Sequence, residues 1–277
     1  MMNLLGVLAG GGLVWLLWWS HRYAWWRTAR SSQDPRILMY HMVSPHRAGA
    51  KFNKLRVTPQ AFAGQMKWLA AQGYVFLTMT ELRTHWQAGT LPRNSVALTF
   101  DDGYADNLLN ALPVLQQYNA KATIYVVVDR HDRDWSTYKK AHHNSGELAQ
   151  ERKLTDIEVQ QLVASGLIEI GSHTLTHANL PTLDDATRVT ELYESRQVLQ
   201  QLTGQPVTSF AYPFGLYGPA EVAAARQVGY LDAVTTVEGI QAAQPLPDFL
   251  QLQRIKVSGK DRLLAFKCRI RCGKRGM

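Results

Sequence analysis

LTFDDGY, residues 98–104, closes an apolar run with two adjacent carboxylates. If that run is a buried strand, Asp101 and Asp102 cannot both relax into solvent-facing turn roles, so something at the strand's C-terminal end must meet them. The residues ahead of them, SVALTF (95–100), have the apolar and β-branched character of a strand, and Ala105–Tyr118 behind them reads as an amphipathic helix.

The same alternation runs along most of the chain. RILMY (36–40), ATIYVVV (122–128), LIEIG (167–171), VTSFAY (207–212), LDAVTT (231–236) and QRIKV (253–257) read as further strands. Helical stretches lie between them at Pro59–Gln72, Asp156–Ser165, Asp184–Leu202 and Pro219–Val228, with Thr155 and Glu158 spaced as a capping box. Gly73, Gly166, Gly204 and Gly229 stand where helices should stop. With no repeat and no low-complexity linker, residues 31–260 form one β/α domain, well within what 277 residues can bury. Polar motifs follow the strand ends: Tyr40 and His41, then Asp101 and Asp102, then SHTLTH (172–177), then PFG (213–215). In a β/α barrel the strand C-termini gather on one face, so these separate motifs converge on one site.

Within SHTLTH, His173 and His177 are four apart, a spacing that on a helical turn faces both imidazoles the same way. Such a pair also occurs as a satisfied core or surface pair. Joined by a carboxylate from a second strand, two His and one Asp with an open position describe a hydrolytic zinc site. The doublet then divides its labour, one aspartate binding metal and its neighbour taking a proton from the attacking water.

TFDDG, GSHTLTH and FAYPFG, in that order on successive β/α units, resemble the three motifs of the polysaccharide deacetylases, the NodB-homology domains of carbohydrate esterase family 4. The likeness runs from about residue 36 to 258 and includes the LMYH opening of one branch. It implies a distorted (β/α)7 barrel that removes acetyl groups from N-acetylated sugars with a divalent metal, usually zinc. By position in the motifs, Asp101 matches the catalytic base, Asp102, His173 and His177 the metal ligands, and the backbone N–H of Phe214 the oxyanion donor. Tyr212 and Pro213 of the third motif are the implied substrate contacts.

Two departures stand out against that pattern. The arginine that opens the third motif in many members is Ala211 here, and Arg254 on another strand either replaces it beside Asp101 or is an exposed or phosphate-binding residue. Where many members carry a late histidine that protonates the leaving amine, this chain reads IKVSG with Ser258, and no His follows His177. His41 is the upstream candidate for that acid, or else a structural histidine that orients Asp101. The long polar stretch 129–153, with Trp135 and Tyr138, is either a substrate clamp or a surface loop.

The ends of the chain carry a different signal. Leu4–Trp19 is uncharged, Trp18, Trp19, Trp25 and Trp26 suit an aromatic belt, and Arg22, Arg27 and Arg30 follow rather than precede the run. That order favours an uncleaved anchor in residues 1–30 over a signal peptide, and puts the domain on the cytoplasmic side of a bacterial inner membrane as a single-pass protein. The expected substrate is then an N-acetylhexosamine of a membrane-linked glycan or glycolipid. The alternatives are an exported polysaccharide or peptidoglycan, or a barrel that only binds glycan. The basic tail 261–277 either lies on anionic lipid or is solvated, and Cys268 and Cys272 read as reduced thiols. The net charge of +8 does not indicate a nucleic-acid partner, since no nucleic-acid-binding spacing appears.

Overall fold

The computed structural model describes residues 4–23, 25–133 and 146–274. After α1 (Leu4–Tyr23) come β1 (Arg36–Tyr40), the short pair β2 (Met42–Val43) and β3 (Arg56–Val57), and α2 (Pro59–Ala71). Next are β4 (Val75–Leu77), α3 (Met79–Gln87), β5 (Ser95–Phe100), a π-helical turn (Asn107–Ala111) leading into α4 (Leu112–Gln117), and β6 (Ala122–Val126). The remainder is α5 (Asp156–Ala164), β7 (Ile168–Ser172), α6 (Asp185–Thr203), β8 (Ser209–Ala211), α7 (Pro219–Val228), β9 (Asp232–Glu238), β10 (Leu252–Lys256) and α8 (Leu263–Cys272).

Seven parallel strands close into a barrel, β1-β10-β9-β8-β7-β6-β5, because β1 pairs with both β10 and β5. The distortion has a local cause. β4 pairs with Ser95–Ala97 of β5, whereas β6 pairs with β5 only from Leu98 onward, so the two share one neighbour. Neither β4 nor α3 stands out in the sequence, since 73–94 offers only short apolar stretches.

Side chains alternate across the barrel wall. Leu38, Tyr40, Leu98 and Phe100 point outward into the layer packed under the helices, where Phe62 of α2 meets both aromatic rings. Ile37, Ala97, Tyr125, Ala211, Val234 and Leu252 point inward, and Met79, Leu82 and Trp86 of α3 plug the N-terminal end. Room for the Tyr125 ring comes from Gly171 on the next strand, where a Cβ would sit 2.5 Å from that ring. The barrel floor is therefore closed and apolar, which leaves the C-terminal mouth as the open end.

The chain termini correct one expectation. Leu4–Tyr23 does form a 20-residue helix, but among the described residues no helix is long and apolar enough to cross a membrane. The uncharged run Leu4–Trp19 spans roughly 24 Å at ~1.5 Å per residue, short of a ~30 Å hydrocarbon layer, and Gly10–Gly12 with three tryptophans dilute it further. The single-pass inner-membrane placement falls with it, and Arg22, Arg27 and Arg30 have no span to orient. At the other end, the basic stretch 263–272 is α8, which buries Phe266 and Ile270 against the domain and sets Phe266 edge-on to Trp68 of α2.

Asp232, wholly buried near the barrel floor, accepts from Ser209 Oγ at 2.5 Å and pairs with Arg83 Nε at 3.1 Å. Burial, helped by the charge of Glu169, raises its carboxyl to about 7. Between its unfolded value of ~4 and 7 the folded state holds the extra proton, so this group's contribution to stability declines as pH rises through that window. Asp232→Asn should flatten that decline, seen as a smaller loss of urea midpoint from pH 4.5 to 7.5 than in the parent. Parallel curves for the two proteins would contradict the assignment.

Candidate active site

At the barrel mouth, β5 and β10 build the deepest polar contact. Asp101 follows β5 directly, its N–H donates to the Tyr40 carbonyl at 3.0 Å, and the residue is 3% exposed. Arg254, fully buried on β10, donates to both carboxylate oxygens at 2.7 Å each. Two more bonds hold the guanidinium in place, from Nε to the Thr235 carbonyl at 2.8 Å and from Nη1 to Thr99 Oγ1 at 3.0 Å. Burial pushes Asp101 toward the neutral form, but the Arg254 charge and its paired hydrogen bonds outweigh this and hold the carboxyl below its ordinary value.

Beside it, the chain turns sharply. Asp102 has φ 76° and Gly103 φ 66°, two consecutive left-handed residues that carry the second carboxylate across the mouth instead of along the strand. His173 and His177 meet it there, with Nε2 atoms 3.3 and 3.4 Å from Asp102 Oδ1. The helical turn expected for this pair does not form. Residues 173–179 are loop, and left-handed kinks at Thr174 (φ 70°) and His177 (φ 60°) converge the two rings to 4.8 Å. Glu191 of α6 pins the loop, accepting from the Thr176 N–H at 2.9 Å and Thr176 Oγ1 at 2.7 Å.

The protonation states at the triad suit a cation. His173 Nδ1 lies 2.7 Å from the Ala211 carbonyl, which can only accept, so Nδ1 carries a proton and Nε2 is the ring atom that faces Asp102. Asp102 is held well below the ordinary carboxylate range, burial being outweighed by the two imidazoles, and burial lowers His177 toward its neutral form. One carboxylate oxygen and two ring nitrogens, all within 4.8 Å of one another and all buried, make a ligand set that fits a divalent metal.

Phe214 closes another side of the site. It adopts φ 59° in the Pro213–Gly215 turn, and its ring sits 4.4 Å from that of His177. Gly215 allows the turn to lie against β9, since a Cβ there would meet Thr236 Oγ1 at 1.9 Å. Among the described residues no acceptor engages the Phe214 N–H. Pro213 is buried at the head of the turn, and Tyr212, 1% exposed, gives its hydroxyl to the Leu250 carbonyl at 3.1 Å, so it serves as a wall and not as a hydrogen-bond donor to ligand. His41 lines the same cleft, half-buried, while Trp135 and Tyr138 lie outside the described residues.

The cleft encloses about 450 Å³. Opposite the triad its wall is apolar, made by Phe52, Leu55 and Leu148. Those residues come from two segments joined by fully buried Arg56, which pairs with Glu147 at 2.7 Å and Glu151 at 2.6 Å. Neither this wall nor Glu191 nor Lys256 at the rim was found from the sequence. Lys256 alone left a usable trace, standing two residues after Arg254 on the same strand face.

A family model described as polysaccharide deacetylase matches residues 88–233, which hold Asp101, Asp102, His173, His177 and Phe214 but neither His41 nor Arg254. The chain is 33% identical over 236 residues to the putative polysaccharide deacetylase YxkH of Bacillus subtilis, covering 85% of this chain and 75% of that one. It is 27% identical over 210 residues to the poly-beta-1,6-N-acetyl-D-glucosamine N-deacetylase of Staphylococcus epidermidis, covering 73% and 68%. Among solved structures, a polysaccharide deacetylase from Bacillus cereus superposes with a TM-score of 0.72 at 30% identity, over 86% of this chain and 69% of that one.

Removing Arg254 leaves Asp101 buried and unpaired, a change that typically costs about 3–5 kcal/mol. Arg254→Met should lose that much in chemical denaturation of the metal-free protein, and adding Asp101→Asn should recover part of it. Wild-type stability in the single variant would show that the pair carries no such coupling.

Proposed function

The chain belongs to the polysaccharide deacetylase family, and from that premise we propose that it hydrolyses the acetamide of N-acetylhexosamine residues in a polysaccharide, with Asp102, His173 and His177 holding a divalent metal of the zinc class. The observation that carries this reading is the separation of two adjacent carboxylates into different surroundings, Asp101 on Arg254 and Asp102 on two imidazoles. The name of the staphylococcal relative supports a polymer of N-acetylglucosamine as the substrate class. Among the described residues no helix is long and apolar enough to cross a membrane, so the narrower choice of a membrane-linked glycan has no support there.

A bound metal would supply the Lewis acid that polarises the amide carbonyl and brings water toward a nucleophilic form at neutral pH. Asp101 takes the proton of that water. Arg254 occupies one direction on each of its oxygens and keeps them ionised, and a further lone pair on each remains to accept. The Phe214 N–H donates to the oxyanion that develops on the carbonyl oxygen, a role that calls for a donor already fixed in place. His41, on the same rim, gives a proton to the departing amine. Phe52, Leu55 and Leu148 keep bulk water from the far side of the cleft.

Two substitutions separate these roles. His173→Ala should lose both bound metal, read by elemental analysis, and turnover. Asp101→Asn should keep the metal and lose nearly all deacetylation. Full activity after chelation, or equal metal loss in both variants, would refute the division of labour between the two aspartates.

His41 has its own test, because an amine is a poor leaving group unless protonated, while an activated ester releases its alcohol without help. General-acid assistance is worth typically 10²–10⁴-fold. His41→Ala should therefore slow N-acetyl hydrolysis by about that much and ester hydrolysis far less, with the metal retained. Equal losses on the two substrates would assign His41 to orienting Asp101 instead.

A further inference from the structure

Leu252, Arg254 and Lys256 occupy alternate positions of β10 and so share the inner face of the barrel. Leu252 belongs to the apolar floor, Arg254 grips Asp101 one layer higher, and Lys256 reaches the rim, where it lines the cleft beside Met39, its register partner on β1. Among the described residues it is the one Lys or Arg in that lining, it is half-buried, and no carboxylate lies within ion-pair distance of it. Both carboxylates of the cleft are already committed, Asp101 to Arg254 and Asp102 to the two imidazoles. Among the described residues Lys256 thus has no partner with which to offset its charge.

The charges of the site point the same way. Asp101 and Arg254 cancel, and a divalent ion would exceed the single charge of Asp102 by one, an excess that transfer of the water's proton to Asp101 leaves unchanged. The Lys256 ammonium adds to that positive charge. A partly desolvated cation at the edge of a concave site raises the local concentration of anions and favours a ligand that brings one.

We propose that Lys256 is a specificity-determining residue that takes an anionic oxygen, a carboxylate or a phosphate, carried by the glycan close to the N-acetyl group being cleaved. This rests on the deacetylase reading, which it narrows from N-acetylated polysaccharides in general to those with an acidic substituent.

The test compares three N-acetylglucosamine oligosaccharides of equal length, one neutral, one with a carboxylate substituent and one with a phosphate. Affinity is measured by calorimetry on the metal-free full chain, which binds without turning over, and kcat/KM on the metal-loaded enzyme. One or both acidic ligands should bind about three- to tenfold tighter than the neutral one at low ionic strength, and 0.5 M salt should shrink the advantage. Lys256→Met should bring the ratio to about one, and Lys256→Arg should preserve most of it; which acid gains more identifies the group recognised. Equal affinity for all three ligands, or an unchanged ratio in Lys256→Met, would overturn the proposal. So would a kcat loss in Lys256→Met that is equal on neutral and acidic substrates, since that places the lysine in the chemistry. Absence of turnover on every oligosaccharide by the loaded parent would instead count against the deacetylase reading, because the binding ratio is read without metal.

Discussion

The site depends on one buried ion pair, the two-pronged contact between Arg254 and Asp101. An ionised carboxylate in the mouth of a closed barrel is costly unless its charge is matched and its lone pairs are bonded. Arg254 does both from β10, two strands away, and is itself held by Thr99 and the Thr235 carbonyl. This contact crosses β1 to join β5 with β10, so barrel closure and the ionisation of Asp101 are the same structural fact. It also leaves Asp102 to the two imidazoles, because the Arg254 guanidinium is already occupied.

Backbone conformation decides the rest of the geometry. Asp102, Thr174, His177 and Phe214 all adopt positive φ, a region that costs a non-glycine residue energy and persists only where surrounding contacts fix it. Each stands at the point where a strand end must turn a side chain or an N–H into the cleft. The fixing contacts are visible around them: Glu191 on the histidine loop, the Ala211 carbonyl on His173, and Gly215 seated against Thr236. Local strain at the site is balanced by bonds one layer behind it.

One of the two departures from the family pattern has a physical counterpart. With Ala211 in place of a third-motif arginine, the side chain at that position offers no cation, while its backbone carbonyl meets His173 Nδ1 as that of any residue there would. The cation for Asp101 comes from β10, a strand that the matched family region, 88–233, does not include. The cation reaches Asp101 from another strand because the barrel brings Asp101 and Arg254 to the same ring.

Much of this was legible in the chain itself. Alternating apolar runs and helical stretches gave seven strands close to their observed limits, and three short motifs at strand ends marked Asp101, Asp102, His173, His177 and Phe214. Those signals are local, written in period and in residue type. Arg254 could be named from sequence as a candidate but not placed, since its contact with Asp101 spans 153 residues. The membrane anchor was misjudged because the flanks were expected to make up the missing length of a short uncharged run, and the weak hydropathy of its glycines was not counted. Glu191, Lys256 and the Arg56-held wall left little or no local pattern, and the two histidines meet through loop kinks that helical spacing does not foretell. The sequence by itself determined the strand order of chemistry along the chain; only barrel closure decided which of those groups touch, because a contact between distant strands depends on register and on the inward face, not on neighbours in the chain.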